Sequence, residues 1–477
     1  MRFDTLFAAY LIFLSIRFNS LLILINLSKK YSVAKSFFRL PAIILLMSGF
    51  MFPLACSPKT SPYVRPNQRP KPPAQRPNQN VPMDTIRWTT PTNPIPPIGP
   101  ATEQPNRPGG LSDTYHLGLM LPFLTNQTAG STVPDKSTPA LQFYAGVKIA
   151  LEELSQTENV NLVMDVYDTQ VNDADFLQLL SSPRLPKADV FIGPVRSSHV
   201  EAFANWTKQN RKILISPETP ISELTTQNPD FIQTNPSLRA HCEAITYHIR
   251  KTHRADAVTL VCKEKEADRL PYFQNANASI PGSLPFAELK VPDATANFDK
   301  VDLRRYLKPG RTAVFILPTW ASQDFVMAFL RKLREVKGYA KVEVYGMPQW
   351  KNYDSIEPEY LTALNVHITS ASHIDYTAQE VKDFQQKFYE STGTLPNDDA
   401  FNGYDVTLFT GKMLRRYGLS FPENLTREAF QGLHGDFRFS KIFTGGAIDD
   451  GYNQPDYLEN TFVHILKFDK YGFVPVE

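Results

Sequence analysis

The chain has 477 residues, of which 42% are hydrophobic and 12% aromatic, enough for two packed lobes or domains. Its formal net charge of +2 hides an uneven split. Residues 1–56 carry six Lys/Arg and one acid, residues 57–110 carry seven and two, and residues 111–477 are net −8 by subtraction. An acidic folded body lacks the basic face that nucleic acid requires, so no nucleic-acid partner is expected.

The N-terminus reads as an export signal. Lys29, Lys30, Lys35 and Arg39 precede the apolar run LPAIILLMSGFMFPLA, residues 40–55. That run is short for a spanning helix and suits a signal-peptide core. Ala55 then precedes Cys56, and the stretch resembles the lipobox of bacterial lipoproteins, although Leu54 stands two places before the cysteine and Pro53 three. The resemblance implies removal of residues 1–55 as a signal peptide. It also implies a diacylglycerol on the Cys56 thiol and a periplasmic protein anchored to a membrane, the outer rather than the inner. The alternative is an uncleaved anchor with Cys56 a chance thiol. Residues 1–32 are apolar but broken by Arg17 and Asn19. They read as sequence upstream of a start at Val33, or else as an extra membrane segment.

Residues 56–110 hold 15 of the 39 prolines and repeat RPNQ at 65–68 and 76–79. Proline removes an amide donor and favours an extended, solvated path, so this segment is expected to be a disordered tether reaching ~3.1 Å per residue where extended.

From residue 115 strands and helices alternate. YHLGLMLPF (115–123) reads as a buried strand. The segment 137–155 reads as a helix with Phe143, Val147, Ala150, Leu151 and Leu154 on one face. NLVMDVYDT (161–169), ADVFIGP (188–194) and KILISPET (212–219) read as further strands, with a helix over 197–209. After the short link 230–237 come a helix over about 238–252 and strands at 257–263, 286–291, 312–318, 341–346 and 365–371. Helices are expected over 321–337, 377–391 and 398–416. Alternation of this kind predicts an α/β fold of two doubly wound, parallel-sheet lobes. The expected division gives residues 111–236 plus about 375–430 to lobe 1, and 237–374 plus about 431–477 to lobe 2.

Enzyme signatures are missing from the sequence: there is no GxGxxG, GxxxxGK[ST], GxSxG or HExxH. No catalytic residue, cofactor or metal is expected. His241 and Cys242 are neighbours that point apart on a helix, and the acid pairs Asp398/Asp399 and Asp449/Asp450 read as turns or caps. What remains is a set of small hydroxyls at strand ends. Ser197 and Ser198 open a helix directly after a strand, and Ser216 and Thr219 follow the next one. Free amides at a helix start together with hydroxyls suit a carboxylate or another anion, and ordinary capping gives the same pattern.

The stretches YHLGLMLPF, LQFYAGVKIALEEL, VYDT, FIGPVRSSHVEAFA, ILISPETPISELT and FIQTNPS resemble the type I periplasmic solute-binding proteins, including receptors for branched-chain amino acids. GTLPNDDAFNGYDVTLF (393–409) resembles their later segment, and FYAG, VYDT and IGP are also similar to an envelope-lipoprotein subgroup. The resemblance implies two lobes joined by three crossings that close on a ligand. It implies ligand contacts at Ser197 or Ser198 and near Ser216 and Thr219, with Pro220 standing where the family has a threonine. Thr234 and Asn235 match the first hinge crossing. Thr319 and Trp320 end a second-lobe strand and are candidate ligand contacts.

The expected function is capture of a small polar solute, amino-acid-like or a cell-wall fragment, for a membrane permease of ABC type or for sensing. The alternative is a non-catalytic envelope module with a degenerate cleft, docking a cell-wall synthase. With Cys56 lipidated, Cys242 and Cys262 remain as a candidate disulfide, or as two separately buried thiols.

Overall fold

A computed structural model of the chain describes residues 84–88, 111–128, 132–220, 222–253, 256–353, 355–444, 453–470 and 472–476. The expected signal peptide, Cys56, most of the tether and the Asp449/Asp450 pair lie outside the described residues. Within the stretch read as tether, β1 (Asp84–Trp88) pairs antiparallel with the edge strand of the first sheet, so the tether expected over 56–110 does carry one strand.

Lobe 1 begins with β2 (Thr114–Leu121), β3 (Asn161–Asp168), β4 (Val190–Ile192), β5 (Ile213–Ser216) and β6 (Phe231–Gln233). All five run parallel, in the spatial order β3-β2-β4-β5-β6. Near-continuous Val, Ile, Leu and Phe in these strands is the signature of a sheet covered on both faces. The chain then crosses into lobe 2 and lays down β7 (Ala257–Lys263), β8 (Ala287–Val291), β9 (Ala313–Ile316), β10 (Val342–Gly346) and β11 (Val366–Ser370), again parallel.

It returns to lobe 1 for the helices Gln379–Thr392 and Asp398–Tyr417 and then for β12 (Ala429–Gln431), β13 (Asp436–Ile442) and β14 (Tyr457–Asn460). A last crossing leads to β15 (His464–Asp469) and β16 (Gly472–Pro475) at the edge of the lobe 2 sheet. The two parallel cores therefore gain antiparallel strands at their margins.

The second half of the chain is divided differently from expectation. Residues 429–460 extend the lobe 1 sheet, because β14 runs parallel beside β6 and carries β13 and β12 with it; only 464–475 return to lobe 2. The helices Asp173–Leu180 and Leu270–Ala278 have no counterpart in the sequence reading. The first is capped by Asn172, whose side chain accepts from the Ala174 amide.

Lobe 1 is bound together by an unusually close helix pair. Thr138–Thr157 lies against Asp398–Tyr417 so tightly that a Cβ on Gly146 would stand 1.9 Å from the Ala400 carbonyl oxygen, and one on Gly403 would stand 2.2 Å from that of Phe143. Tyr404 donates to Glu153 at 2.8 Å along the same seam. In lobe 2, Phe298, Phe315, Phe325 and Phe329 form an aromatic cluster under the sheet. Each such buried side chain contributes roughly 1.5–3 kcal/mol.

Cys242 and Cys262 are free thiols, both completely buried. The candidate disulfide is thus corrected: one thiol sits in the helix Leu238–Thr252 and the other in β7, in separate layers of one apolar core. Burial pushes the Cys262 thiol up to about 11 and Cys242 further, so neither has thiolate character.

Candidate ligand-binding site

Strand direction locates the site. β6 runs directly into the crossing at Thr234, so the carboxyl ends of the parallel lobe 1 strands face the crossings. In lobe 2, Ser370 at the end of β11 pairs with His464 at the start of β15, so the carboxyl ends face the same way. Open α/β sheets bind ligands at such ends, and here both sets of ends lie on the sides of the lobes that the crossings join.

On the lobe 1 side, Asp168 at the end of β3 organises the first loop. It accepts from the amides of Phe123 (3.0 Å), Leu124 (3.2 Å) and Thr125 (2.8 Å) and from the Thr125 hydroxyl (2.7 Å). After β4, Gly193 adopts φ +82°, and a Cβ there would stand 2.3 Å from the Met120 carbonyl oxygen, so only glycine fits this turn. The helix Ser197–Gln209 then begins with Ser197 and Ser198 both exposed. The Ser198 hydroxyl donates to Asp173 at 3.0 Å and receives the Arg196 Nε–H at 3.1 Å. The protein's own carboxylate thus stands at the helix start that the sequence reading reserves for a ligand.

At the end of β5, Ser216 is fully buried and its hydroxyl has no hydrogen-bond partner among the described residues. The Thr219 hydroxyl donates to the Val195 carbonyl at 2.9 Å, joining the loops after β4 and β5. Between them lies Glu218, which the strand-end hydroxyl pattern does not single out. Burial, reinforced by the Asp399 carboxylate, pushes Glu218 up to about 7. Burial likewise raises Asp399, although the Asn397 amide donates to it at 2.8 Å. The pair Asp398/Asp399 does begin a helix, as a cap reading requires, but Asn397 is the cap and Asp399 belongs to the acidic side of the site. The signal in the sequence is an acid two residues past the end of a buried strand, beside Thr219.

The first crossing holds this loop. Thr234 donates its amide and hydroxyl to the Ser216 carbonyl at 3.0 and 3.3 Å, and the Asn235 side chain donates to the Glu218 carbonyl at 2.7 Å. The two hinge residues read from sequence therefore connect the crossing directly to the loop bearing Glu218.

On the lobe 2 side, Thr319 is fully buried, and its hydroxyl donates to Glu266 at 3.0 Å. Trp350 donates its indole N–H to the Thr319 carbonyl at 3.3 Å, and Tyr353 donates to that of Trp320 at 2.9 Å. Trp320 is half-buried, packed on the lobe 2 core with His241 edge-on at 6.2 Å. Thr319 thus shapes the loop from within, whereas Trp320 retains exposed surface. Among the described residues no group of three or more His, Cys, Asp or Glu is placed to hold a metal ion. No helix among them is long and apolar enough to cross a membrane.

Two α/β lobes, three crossings and a cleft between opposed strand ends define a binding protein of the type I periplasmic class. The family model described as "Periplasmic binding protein" matches residues 133–454, and the chain belongs to that family. Among solved structures it is similar to a candidate branched-chain amino acid ABC transporter from Rhodospirillum rubrum, at 14% identity and TM-score 0.56. That likeness covers 76% of this chain and all of the other. An ABC transporter substrate-binding protein from Desulfitobacterium hafniense is matched at 13% identity and TM-score 0.52, over 76% of this chain and all of that one. At this level of identity the likeness is one of fold. No curated protein sequence matches the chain.

Proposed function

We propose that this protein captures a small, amino-acid-like solute in the interlobe cleft and that lobe closure presents the loaded form to an ABC-type permease. The observation that carries this reading is Glu218, an acid at a strand end whose backbone is held by the hinge residue Asn235. A cationic group docking on Glu218 and Asp399 restores the ionised state that burial suppresses, and does so on a loop tied to the crossing. The ligand class is therefore one with an ammonium group. This shifts emphasis from the carboxylate end, since Ser198 and Thr219 spend their hydroxyls inside the protein. The basic-then-apolar run ending at Cys56 supports a lipid-anchored, periplasmic location for this activity.

A second reading has its own support. The same internal commitment of Ser198, Thr219 and Thr319 suits a cleft that no longer takes a solute, leaving an envelope interaction module that contacts a cell-wall synthase. A thermal-shift screen against amino acids, amines and muropeptides separates the two. A ligand specific to the folded state raises the melting temperature, by roughly 2.7 kcal/mol of stabilisation at a hundredfold excess over Kd. No shift from any of them would favour the module.

A further inference from the structure

A cavity lies at the opposite end of lobe 2. Asp256, Thr312 and Lys341 immediately precede β7, β9 and β10, so the cavity they help line opens at the amino ends of these strands, away from the interlobe cleft. The cavity measures about 810 Å³. Five cationic side chains line it: Arg304, Lys308 and Arg311 from the loop before β9, and Lys337 and Lys341 from the turn before β10. Asp256 is the one carboxylate among the described lining residues, and it is engaged by His253 Nδ1 at 3.1 Å, the same ring reaching Glu343 through Nε2 at 2.9 Å. Among the described residues, the side chains of Arg304, Lys308, Lys337 and Lys341 form no ion pair with a carboxylate; only the Arg304 backbone amide meets one, Asp302 at 3.0 Å.

This concentration of charge is out of keeping with an acidic folded body, which is net −8 over residues 111–477. Like charges gathered around one concavity repel one another, and an anion that enters relieves the repulsion. The shape adds a second requirement. Leu307, Pro309 and Val336 give the cavity an apolar wall, and Tyr339, fully exposed, stands at its rim on a turn made by Gly338 at φ +52°. A volume of this size suits an organic ligand rather than a bare ion. Arginine forks and lysine point charges together match phosphate oxygens.

We propose that this cavity is a binding site for a phosphate-bearing ligand with two or more negative charges. The chemistry is shared by a free phosphorylated solute and by the headgroup of an anionic lipid. In the second case occupancy would bring the outer pole of lobe 2 to a membrane surface, with Tyr339 at the interface.

Calorimetry on the full chain in detergent tests this with two probes, inorganic pyrophosphate for the free source and glycerol 3-phosphate for the headgroup. At least one is expected to bind with a dissociation constant below about 1 mM, and to weaken as salt screens the cations. Lys308→Gln with Lys341→Gln should lower affinity by about fivefold per lysine, roughly 25-fold for the pair, with melting temperature unchanged because both side chains are exposed. Lys387→Gln, on lobe 1, should leave binding as it is. Preference for pyrophosphate assigns a free ligand; where glycerol 3-phosphate is preferred, co-sedimentation with phosphatidylglycerol vesicles that Lys308→Gln with Lys341→Gln abolishes assigns a headgroup, and its absence assigns a free phosphorylated solute. Absence of binding by both probes, equal binding by the double variant, or an equal loss in Lys387→Gln overturns the proposal.

Discussion

The side-chain amide of Asn460 donates to the carbonyl of Thr234 at 3.0 Å, joining the third crossing to the first. The same amide donates to the Asp436 carbonyl at 3.0 Å, and Asn460 Oδ1 accepts from the amides of Arg438 and Phe462 at 2.9 and 3.1 Å. The residue is buried. The first and third crossings thus share one polar fastener at the lobe 1 side. Asn460→Ala is expected to cost about 2–4 kcal/mol, because it leaves several buried backbone groups unpaired. Asn460→Asp should cost at least as much, since it aims a carboxylate oxygen at two carbonyls. Urea unfolding measures both, and a cost below about 0.5 kcal/mol would remove the fastening role.

The seam between Thr138–Thr157 and Asp398–Tyr417 yields a second expectation. Gly146→Ala places a methyl group where the Ala400 carbonyl already sits, and the helices must separate. A loss of about 1–3 kcal/mol is expected, with Gly403→Ala similar. Additive costs in the double variant would show that the two contacts are independent. Sub-additive costs are expected, because one separation relieves both.

Three histidines gather at the crossings. His373 and His464 have ring centroids 6.1 Å apart, and the His373 amide donates to the His434 carbonyl at 2.9 Å. Burial lowers all three, His434 to about 4. Lys351 lowers His373 and His434 further, while Asp375, Asp398 and Asp436 act in the opposite sense on His373, His434 and His464 respectively. Each histidine is neutral in the fold and has an ordinary value near 6.5 when unfolded. Their contribution is therefore present above pH 6.5 and is lost as pH falls below it, for His434 down to about 4. The slope is at most about 1.4 kcal/mol per pH unit per histidine. Stability measured between pH 7.5 and 4.5 should fall less steeply in His434→Gln than in the parent. Parallel curves would show that the ring does not report on the hinge.

For the cleft, the pH dependence runs through Glu218. Its carboxyl, held up at about 7, must ionise to take an ammonium group. Affinity for the ligand found in the screen should rise between pH 6 and 8 in the parent and stay flat in Glu218→Gln. At pH 8 that variant should bind roughly tenfold or more weakly, in line with the 1.5–3 kcal/mol of a charged hydrogen bond. Equal binding by parent and variant would rule out this orientation while leaving the basic cavity of lobe 2 untouched.

Mass and thiol measurements address the cysteines. The mature chain is expected to begin at an acylated Cys56. A species retaining residues 1–55 would defeat that expectation. Unfolded, unreduced protein should titrate two thiols, Cys242 and Cys262, since both are free and far above the range in which thiolates form.

Sequence periodicity sufficed for the α/β class and for the parallel cores, and the family resemblance placed the first crossing. The first two are written in local pattern: buried β-branched runs and helical faces such as Phe143, Val147 and Leu154. The close seam was half-visible in FYAG and FNGYD, whose glycines only a packed partner explains. Tertiary structure alone decided where residues 429–460 go, because strand pairing over more than 200 residues, such as Glu459 beside Gln233, leaves no local trace. It also decided the chemistry of the site. A hydroxyl at a strand end looks the same in sequence whether it faces a ligand or, like that of Thr219, donates to a neighbouring loop. An acid such as Glu218 acquires its character from burial and from Asp399, which is 181 residues away along the chain (399 minus 218). Charge and capping are local properties of the chain, whereas desolvation and partner choice belong to the fold.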